Sequence, residues 1–176
     1  MNLADTLTQA AHKWPDKIAL VFEGRRWTYG QWNRAVNKAA HAFRAAGIAK
    51  GDRVAFLTYN LPEQVTGFYA LMKIGAVPVP INYRLAANEV KYIVDDSSAR
   101  ILVFEEALRA PVMAIKDGLA IEKLIYIGAK PEGAEIPFET FVAPGSDGEP
   151  DARVGWGDAA FIMYTSGTTG RPKGVV

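Results

Sequence analysis

The chain has 176 residues, of which 49% are hydrophobic and 22% are charged, a balance typical of a globular protein with one sizeable core. Lys and Arg number 20 and Asp and Glu number 19, so the net charge of +1 gives no electrostatic support for a nucleic-acid partner. The absence of cysteine excludes disulfides, thiolate catalysis and cysteine-ligated metals.

The lack of cysteine fits a reducing cytoplasm, so a cytoplasmic protein is predicted. The opening residues lack a basic head followed by an apolar core, so no secretory signal is predicted. No apolar run is long enough for a transmembrane segment. His12 and His41 lie far apart on predicted helices and are interpreted as surface or boundary residues rather than metal ligands.

The first elements in chain order are a short helix and a β-hairpin. An amphipathic helix is predicted over Asn2 to Trp14, ended by Pro15. Apolar residues on both sides of Glu23-Gly24 then predict paired strands over Ile18 to Phe22 and Arg25 to Tyr29.

A long helix follows the hairpin. Thr28 with Gln31 three residues later is a capping-box signature, which predicts the start of this helix. Gly47 is predicted to end it in the left-handed conformation. The aromatic and apolar stripe between them is interpreted as core packing.

From Gly51 onward, buried strands alternate with helices, which predicts right-handed crossovers and a mainly parallel α/β sheet with flanking helices. The prolines of the second strand place it at a strand end or sheet edge. Residues 128–157, rich in Pro, Gly and acidic residues, are predicted to be a long loop. The predicted strands are Arg53–Thr58, Val77–Pro80, Arg100–Phe104 and Leu124–Ile127, and the predicted helices are Pro62–Gly75, Asn88–Ser97 and Pro111–Leu119.

The last stretch carries the strongest chemical signal. The apolar run Ala159 to Met163 predicts a strand, and the string YTSGTTGRPKG follows it from Tyr164 to Gly174. Glycines let backbone N–H groups converge on an anion, and hydroxyls and a lysine add donors and charge. In a parallel sheet, a loop that follows a strand stands where ligands gather.

This string differs from the common P-loop, in which the lysine is followed by Ser or Thr at the start of a helix. Pro172 and Gly174 flank Lys173, and Val175-Val176 follow, which predicts a hairpin-like return into a second strand. Composition alone favours a solvated surface loop, whereas the ordered string favours phosphate binding.

The segment from Tyr164 to Gly174 resembles the signature loop of the AMP-forming adenylating superfamily, which contains acyl-CoA synthetases, luciferases and peptide-synthetase adenylation domains. The resemblance extends over the chain, because residues 24–60 and the string LMKIGAVPVPINYRL are similar to the opening of acyl-CoA synthetases. Ile81 to Leu85 resembles the fatty and aryl acyl-CoA ligase branch more than peptide-synthetase domains.

The resemblance implies a ligase that uses ATP, Mg²⁺ and coenzyme A to convert a carboxylic acid into acyl-AMP and then acyl-CoA, as in fatty acid metabolism. It implies that Lys173 is catalytic and that Thr168 lies near the Mg²⁺. The residues implied to bind the β- and γ-phosphates are Thr165, Ser166, Gly167, Thr168, Thr169, Gly170 and Lys173.

The same resemblance implies that residues 1–176 are the N-terminal portion of an AMP-binding domain, cut just after the phosphate loop. The acyl pocket, the nucleoside-binding segments and the CoA site would then lie downstream, and the chain alone is not expected to complete adenylation. Such a portion is expected to self-associate or to need the missing part, because truncation exposes a sheet edge. The alternatives are a free-standing, non-catalytic domain that binds nucleotide or a protein, and part of a peptide-synthetase adenylation domain.

Other charged pairs are interpreted as structural. Glu105 and Glu106 stand at a strand end, but adjacent strand residues point to opposite faces and are not expected to cooperate as acid and base. Arg25-Arg26 is interpreted as solvated, and Asp95-Asp96 as the polar end of a helix.

Overall fold

A computed structural model describes residues 3–165 and 171–176 of the chain. Its order of elements is a helix, an antiparallel hairpin, an alternating α/β region and a second, short hairpin. The strands are β1 Ile18–Phe22, β2 Arg25–Thr28, β3 Arg53–Leu57, β4 Val77–Pro80, β5 Ile101–Glu105, β6 Lys123–Ile127, β7 Ile136–Pro137, β8 Met163–Thr165 and β9 Lys173–Val175. The α-helices are α1 Asp5–Lys13, α2 Tyr29–Ala45, α3 Pro62–Ile74, α4 Ala87–Asp96, α5 Arg109–Met113 and α6 Phe138–Val142.

The centre of the molecule is a parallel sheet with the strand order β4-β3-β5-β6-β7. Its inner strands β3 and β5 are almost continuously buried, because apolar side chains cover both faces of the sheet. One apolar cluster joins β3 and β5 to α2 and α3, and a second joins the opposite face to α4 and α5. The predicted α/β fold with a mainly parallel sheet and flanking helices is therefore confirmed.

Local signals in the N-terminal half are confirmed in detail. The Gln31 N–H donates to Thr28 Oγ1 at 3.2 Å, and the Thr28 N–H donates to Gln31 Oε1 at 2.9 Å, which completes the capping box at the start of α2. Gly47 after α2 and Gly75 after α3 both have positive φ angles, of 88° and 73°. The glycines thus end the two helices that cover one face of the sheet.

The hairpin of β1 and β2 turns at Glu23-Gly24, where both residues have positive φ, and its strands agree closely with the predicted ranges. The preceding helix is shorter than predicted, because α1 spans Asp5–Lys13. β4 lies at an edge of the parallel sheet, as its prolines predicted.

The middle of the chain differs from the sequence predictions in two places. The predicted helix Pro111–Leu119 is replaced by α5, which begins two residues before Pro111, and by a separate 3₁₀ turn over Lys116–Gly118. Proline is tolerated in a first helical turn because N–H groups there have no intrahelical acceptor. The segment 128–157, predicted to be a loop, contains β7 and α6, whose Phe138 packs in the core beside α2.

A buried polar cluster joins α2 and α3. Lys73 on α3 has a side chain that is only 4% exposed. Its ammonium donates to the side-chain oxygens of Asn33 and Asn37 on α2, both at 2.8 Å, and to Glu149 Oε2 at 2.6 Å. Burial lowers the pKa of Lys73 below its ordinary value, and the neighbouring Glu149 opposes that shift. These four residues are called the Lys73 network.

The Lys73 network fastens the return segment, residues 143–158, across α2. Glu149 accepts a second hydrogen bond, from Asn33 Nδ2 at 2.6 Å, so both of its oxygens are engaged. A ring nitrogen of His41 lies 3.0 Å from the Gly148 carbonyl oxygen in the same segment. The chain is thereby carried from α6 to the last hairpin along a defined path.

Candidate functional site

The string that resembles a phosphate-binding loop lies on the antiparallel hairpin of β8 and β9. Its register pairs Met163 with Val175, Tyr164 with Gly174 and Thr165 with Lys173, so the predicted return into a second strand is confirmed. The predicted phosphate-binding residues between the two strands lie outside the described residues. They are Ser166, Gly167, Thr168, Thr169 and Gly170.

The strand before the loop differs from the prediction. The apolar run 159–163 was expected to form a strand, but β8 begins only at Met163 and pairs with β9. The neighbouring edge strand, β4, explains the difference. The Val77 and Ile81 N–H groups donate toward β3, so the nitrogens of Pro78 and Pro80 face outward and carry no hydrogen. The Pro78 carbonyl accepts one hydrogen bond, from Ile162 N at 3.2 Å.

Thr165 and Lys173 stand opposite each other where the two strands open toward residues 166–170. Both are exposed. Lys173 forms no side-chain hydrogen bond or ion pair with another residue in the described part of the chain. A solvated ammonium with its donors free of protein partners there fits an anionic group such as a phosphate.

Magnesium is implied by the resemblance rather than by a protein ligand cluster. Within residues 3–165 and 171–176 there is no group of three or more His, Cys, Asp or Glu side chains that could hold a metal ion. Thr168, which the resemblance implies near the Mg²⁺, is outside those ranges, so this assignment stays a prediction.

The two strands of this hairpin are closely packed where Tyr164 faces Gly174. A Cβ atom placed on Gly174 would lie 3.0 Å from Ile162 Cγ2 and 3.2 Å from the Cζ atom of Tyr164. The Tyr164 ring therefore covers the Gly174 backbone, and any larger residue at position 174 would have to displace that ring. Ile162 and Tyr164 also pack against the apolar cluster beneath α4.

Helix α4 contacts the hairpin through polar and aromatic side chains. The Tyr164 hydroxyl donates to Asp96 Oδ2 at 2.6 Å. Burial raises the pKa of Tyr164, and the Asp96 carboxylate raises it further. Arg171, just before β9, lies over the Tyr92 ring, 5.7 Å from its centre. The sequence interpretation missed these contacts, because Asp96 and Tyr164 are 68 residues apart and no local pattern links them.

The carboxyl end of β5 holds a buried acid, Glu105. Glu105 accepts a hydrogen bond from the Tyr59 N–H at 2.6 Å, and burial raises its pKa above the ordinary value. Glu106 instead accepts from the Ala129 N–H. The two carboxylates thus accept hydrogen bonds from different backbone groups.

Among the helices within residues 3–165 and 171–176, none is both long and apolar enough to span a membrane. This finding agrees with the hydropathy of the sequence.

Comparison with known proteins establishes the family. The model of the AMP-binding enzyme family matches residues 7–176, so the chain belongs to that family. Its relatives include acyl-CoA ligases, as the resemblance of the loop indicated. The structure also superimposes on that of the anthranilate CoA ligase AuaEII in complex with anthranoyl-AMP, with a TM-score of 0.95 and 30% sequence identity over 99% of this chain and 34% of that one.

Two curated relatives illustrate the range of similarity. The long-chain-fatty-acid–CoA ligase FadD13 of Mycobacterium tuberculosis is 42% identical over 158 residues, which cover 86% of this chain and 29% of the relative. The 3-hydroxybenzoate–CoA ligase of Aromatoleum sp. (strain CIB) is 35% identical over 178 residues, which cover 100% of this chain and 34% of the relative. The chain therefore spans about a third of the length of these relatives.

Proposed function

We propose that this chain supplies the ATP-phosphate loop of an AMP-forming acyl-CoA synthetase. In the proposed reaction a carboxylate attacks the α-phosphate of ATP, which gives acyl-AMP and pyrophosphate, and the thiol of coenzyme A then takes the acyl group. The observation that carries the proposal is the register of β8 and β9, which sets Thr165 opposite Lys173 at the two ends of the loop.

The chemical task of such a loop follows from where charge develops. Negative charge grows on the departing pyrophosphate, and donors that are already in place stabilise it without rearranging during the reaction. Lys173 contributes a full positive charge from an exposed position, and Thr165 contributes a hydroxyl donor. Mg²⁺, when bound, neutralises further charge on the phosphate oxygens.

The relatives support a carboxylic acid as the second substrate without selecting one. One is named for a long-chain fatty acid and another for 3-hydroxybenzoate, although both resemble this chain over most of its length. We therefore propose the class of substrate, a carboxylic acid, together with ATP and coenzyme A.

The first test is nucleotide binding by the 176-residue chain, measured by isothermal titration calorimetry with MgATP and with magnesium pyrophosphate. We expect both to bind, and Lys173→Ala to weaken pyrophosphate binding about tenfold, the scale of one charge-assisted hydrogen bond. Lys173→Arg keeps the charge and should bind better than Lys173→Ala. Lys38→Ala, an exposed lysine on α2, is the matched control and should bind like the wild type.

The second test separates binding from chemistry. We expect the chain to bind MgATP but to form no acyl-AMP with a panel of fatty and aromatic acids, assayed by hydroxylamine trapping. Acyl-AMP formation would contradict that expectation about competence. Failure of the wild type to bind either ligand, or equal binding by Lys173→Ala, would contradict the proposed role of the loop.

A further inference from the structure

The β8–β9 hairpin has little backbone attachment to the parallel sheet beside it. The residues just before β8 run beside β4, where the outward nitrogens of Pro78 and Pro80 carry no hydrogen. In the described residues, the backbone hydrogen bond that joins this stretch to β4 runs from the Ile162 N–H to the Pro78 carbonyl. An extended ladder cannot form at such an edge. The orientation of the hairpin must therefore depend on side chains.

Helix α4 offers those side chains on one face. Tyr92 and Asp96 are four residues apart and so lie next to each other on the helix surface, with the Tyr92 hydroxyl 3.4 Å from Asp96 Oδ1. Asp96 Oδ2 accepts the hydrogen bond from Tyr164 of β8, and the Tyr92 ring receives Arg171, two residues before Lys173. Each arm of the hairpin is thus held at one point by the same helical face.

These two contacts stand next to the residues proposed to bind phosphate. Tyr164 precedes Thr165 directly, so fixing its ring and hydroxyl also fixes the backbone from which Thr165 projects. The Tyr164 ring lies over Gly174, the neighbour of Lys173 on the other strand. A donor contributes most to an electrostatic site when it is already oriented before the ligand arrives.

We propose that Asp96 and Tyr92 of α4 are positioning residues that hold the β8–β9 hairpin in one orientation and thereby preorganise Thr165 and Lys173 for a phosphate. The anchoring of the hairpin stands on its own contacts, whereas its consequence for ligand binding rests on the proposed function. The contacts through which the two residues act are those from Asp96 to Tyr164 and from Tyr92 to Arg171.

The anchoring is tested by amide hydrogen exchange, followed by NMR on the 176-residue chain. The variants are Asp96→Ala, Tyr164→Phe and the double variant. We expect each single variant to speed exchange of the amides that are hydrogen-bonded between β8 and β9 about fivefold, the scale of one net hydrogen bond, and the double variant to add almost nothing. Asp96→Asn keeps an acceptor and should restore part of the protection.

The matched control is Asp95→Ala on the same helix. Asp95 pairs with Lys91 at the same end of α4, and within residues 3–165 and 171–176 it forms no hydrogen bond to the hairpin. It should leave exchange in the hairpin unchanged. Three outcomes would overturn the anchor. They are unchanged exchange in Asp96→Ala, strictly additive effects in the double variant, and an equal effect of Asp95→Ala.

Ligand binding separates positioning from a purely structural contact. We expect Asp96→Ala and Tyr92→Leu to weaken magnesium pyrophosphate binding about fivefold, while the thermal melting of the core stays unchanged. Faster exchange with unaltered pyrophosphate affinity would overturn the positioning role. If the wild type binds no pyrophosphate, the proposed function fails, and the exchange measurements still decide for or against the anchor.

Discussion

Lys73 and Lys173 are both lysines, but their environments are opposite. The Lys73 ammonium is buried and donates to three side-chain oxygens, from Asn33, Asn37 and Glu149. Lys173 is exposed and has no side-chain partner among the described residues. Lys73 lies between two helices of the core, whereas Lys173 lies at the open end of a short hairpin.

The difference shows that the surroundings of a lysine decide whether it has a structural role or is available to bind a ligand. A buried ammonium is tolerated only when its donors are satisfied, so Lys73 has no capacity for a ligand and instead connects three parts of the chain. An exposed ammonium without protein partners contributes little to folding but remains available to an anion. Mutations at the Lys73 network should therefore change stability, whereas mutation of Lys173 should change ligand binding.

The largest effect on stability is expected when the Lys73 network loses the carboxylate of Glu149. Glu149→Ala deprives the buried Lys73 ammonium of the carboxylate to which it donates, and we expect the free energy of unfolding to fall by about 2 kcal/mol. This is below the cost of breaking a fully buried pair, because the Glu149 side chain is 41% exposed and partly screened by water. Urea denaturation at neutral pH measures the change.

The control for this variant is Asp147→Ala, an exposed acid in the same return segment, which should change stability by less than about 0.5 kcal/mol. In a Lys73→Met background the cost of Glu149→Ala should largely disappear, because no buried charge is left without a partner. An equal cost in both backgrounds would mean that Glu149 stabilises the fold independently of Lys73.

A smaller effect on stability is expected when the pH is lowered. Burial alone would raise the pKa of Glu149, but the hydrogen bonds from Lys73 and Asn33 outweigh burial and hold its pKa below the ordinary value of 4.5. A carboxyl with a lowered folded-state pKa stabilises the fold above its unfolded pKa, and this stability is lost as pH falls through the folded value. The stability difference between wild type and Glu149→Gln should thus be constant near neutral pH and shrink below about pH 4.5. A difference that persists unchanged into that acidic range would contradict the assignment.

The smallest effect on stability is expected at the other lysine. Lys173→Met removes an exposed charge without a described side-chain partner, so unfolding should change by less than about 0.5 kcal/mol. The same variant should bind magnesium pyrophosphate clearly more weakly than the wild type, measured side by side with its urea denaturation. A large loss of stability would show that Lys173 stabilises the fold, as Lys73 does.

Short-range signals in the sequence predicted much of this fold. The Thr28 capping box, the helix-ending Gly47 and Gly75, and the apolar runs of β3 and β5 each act within a few residues, so their outcome did not depend on distant contacts. Pro111 misled the prediction, because proline fits inside a first helical turn as well as at its start.

Long-range contacts could not be predicted in this way. The sequence indicated the β8–β9 return from Pro172 and Gly174, but nothing local connects Tyr164 to Asp96 or Glu149 to Lys73. These pairs form only when the crossover helices and the return segment have been placed in space. The contacts that hold the candidate site are therefore the part of the molecule that single-sequence reasoning could not reach.

The prolines of β4 also limit how copies of this protein could associate. An unprotected edge strand offers N–H and C=O groups to another chain and so invites polymerisation through added strands. The outward nitrogens of Pro78 and Pro80 cannot donate, and β7, at the other edge of the sheet, has only two residues, one of them Pro137. Growth of fibrils by strand addition to this sheet is disfavoured at both edges, so contacts between copies would have to use side chains rather than the backbone of the sheet.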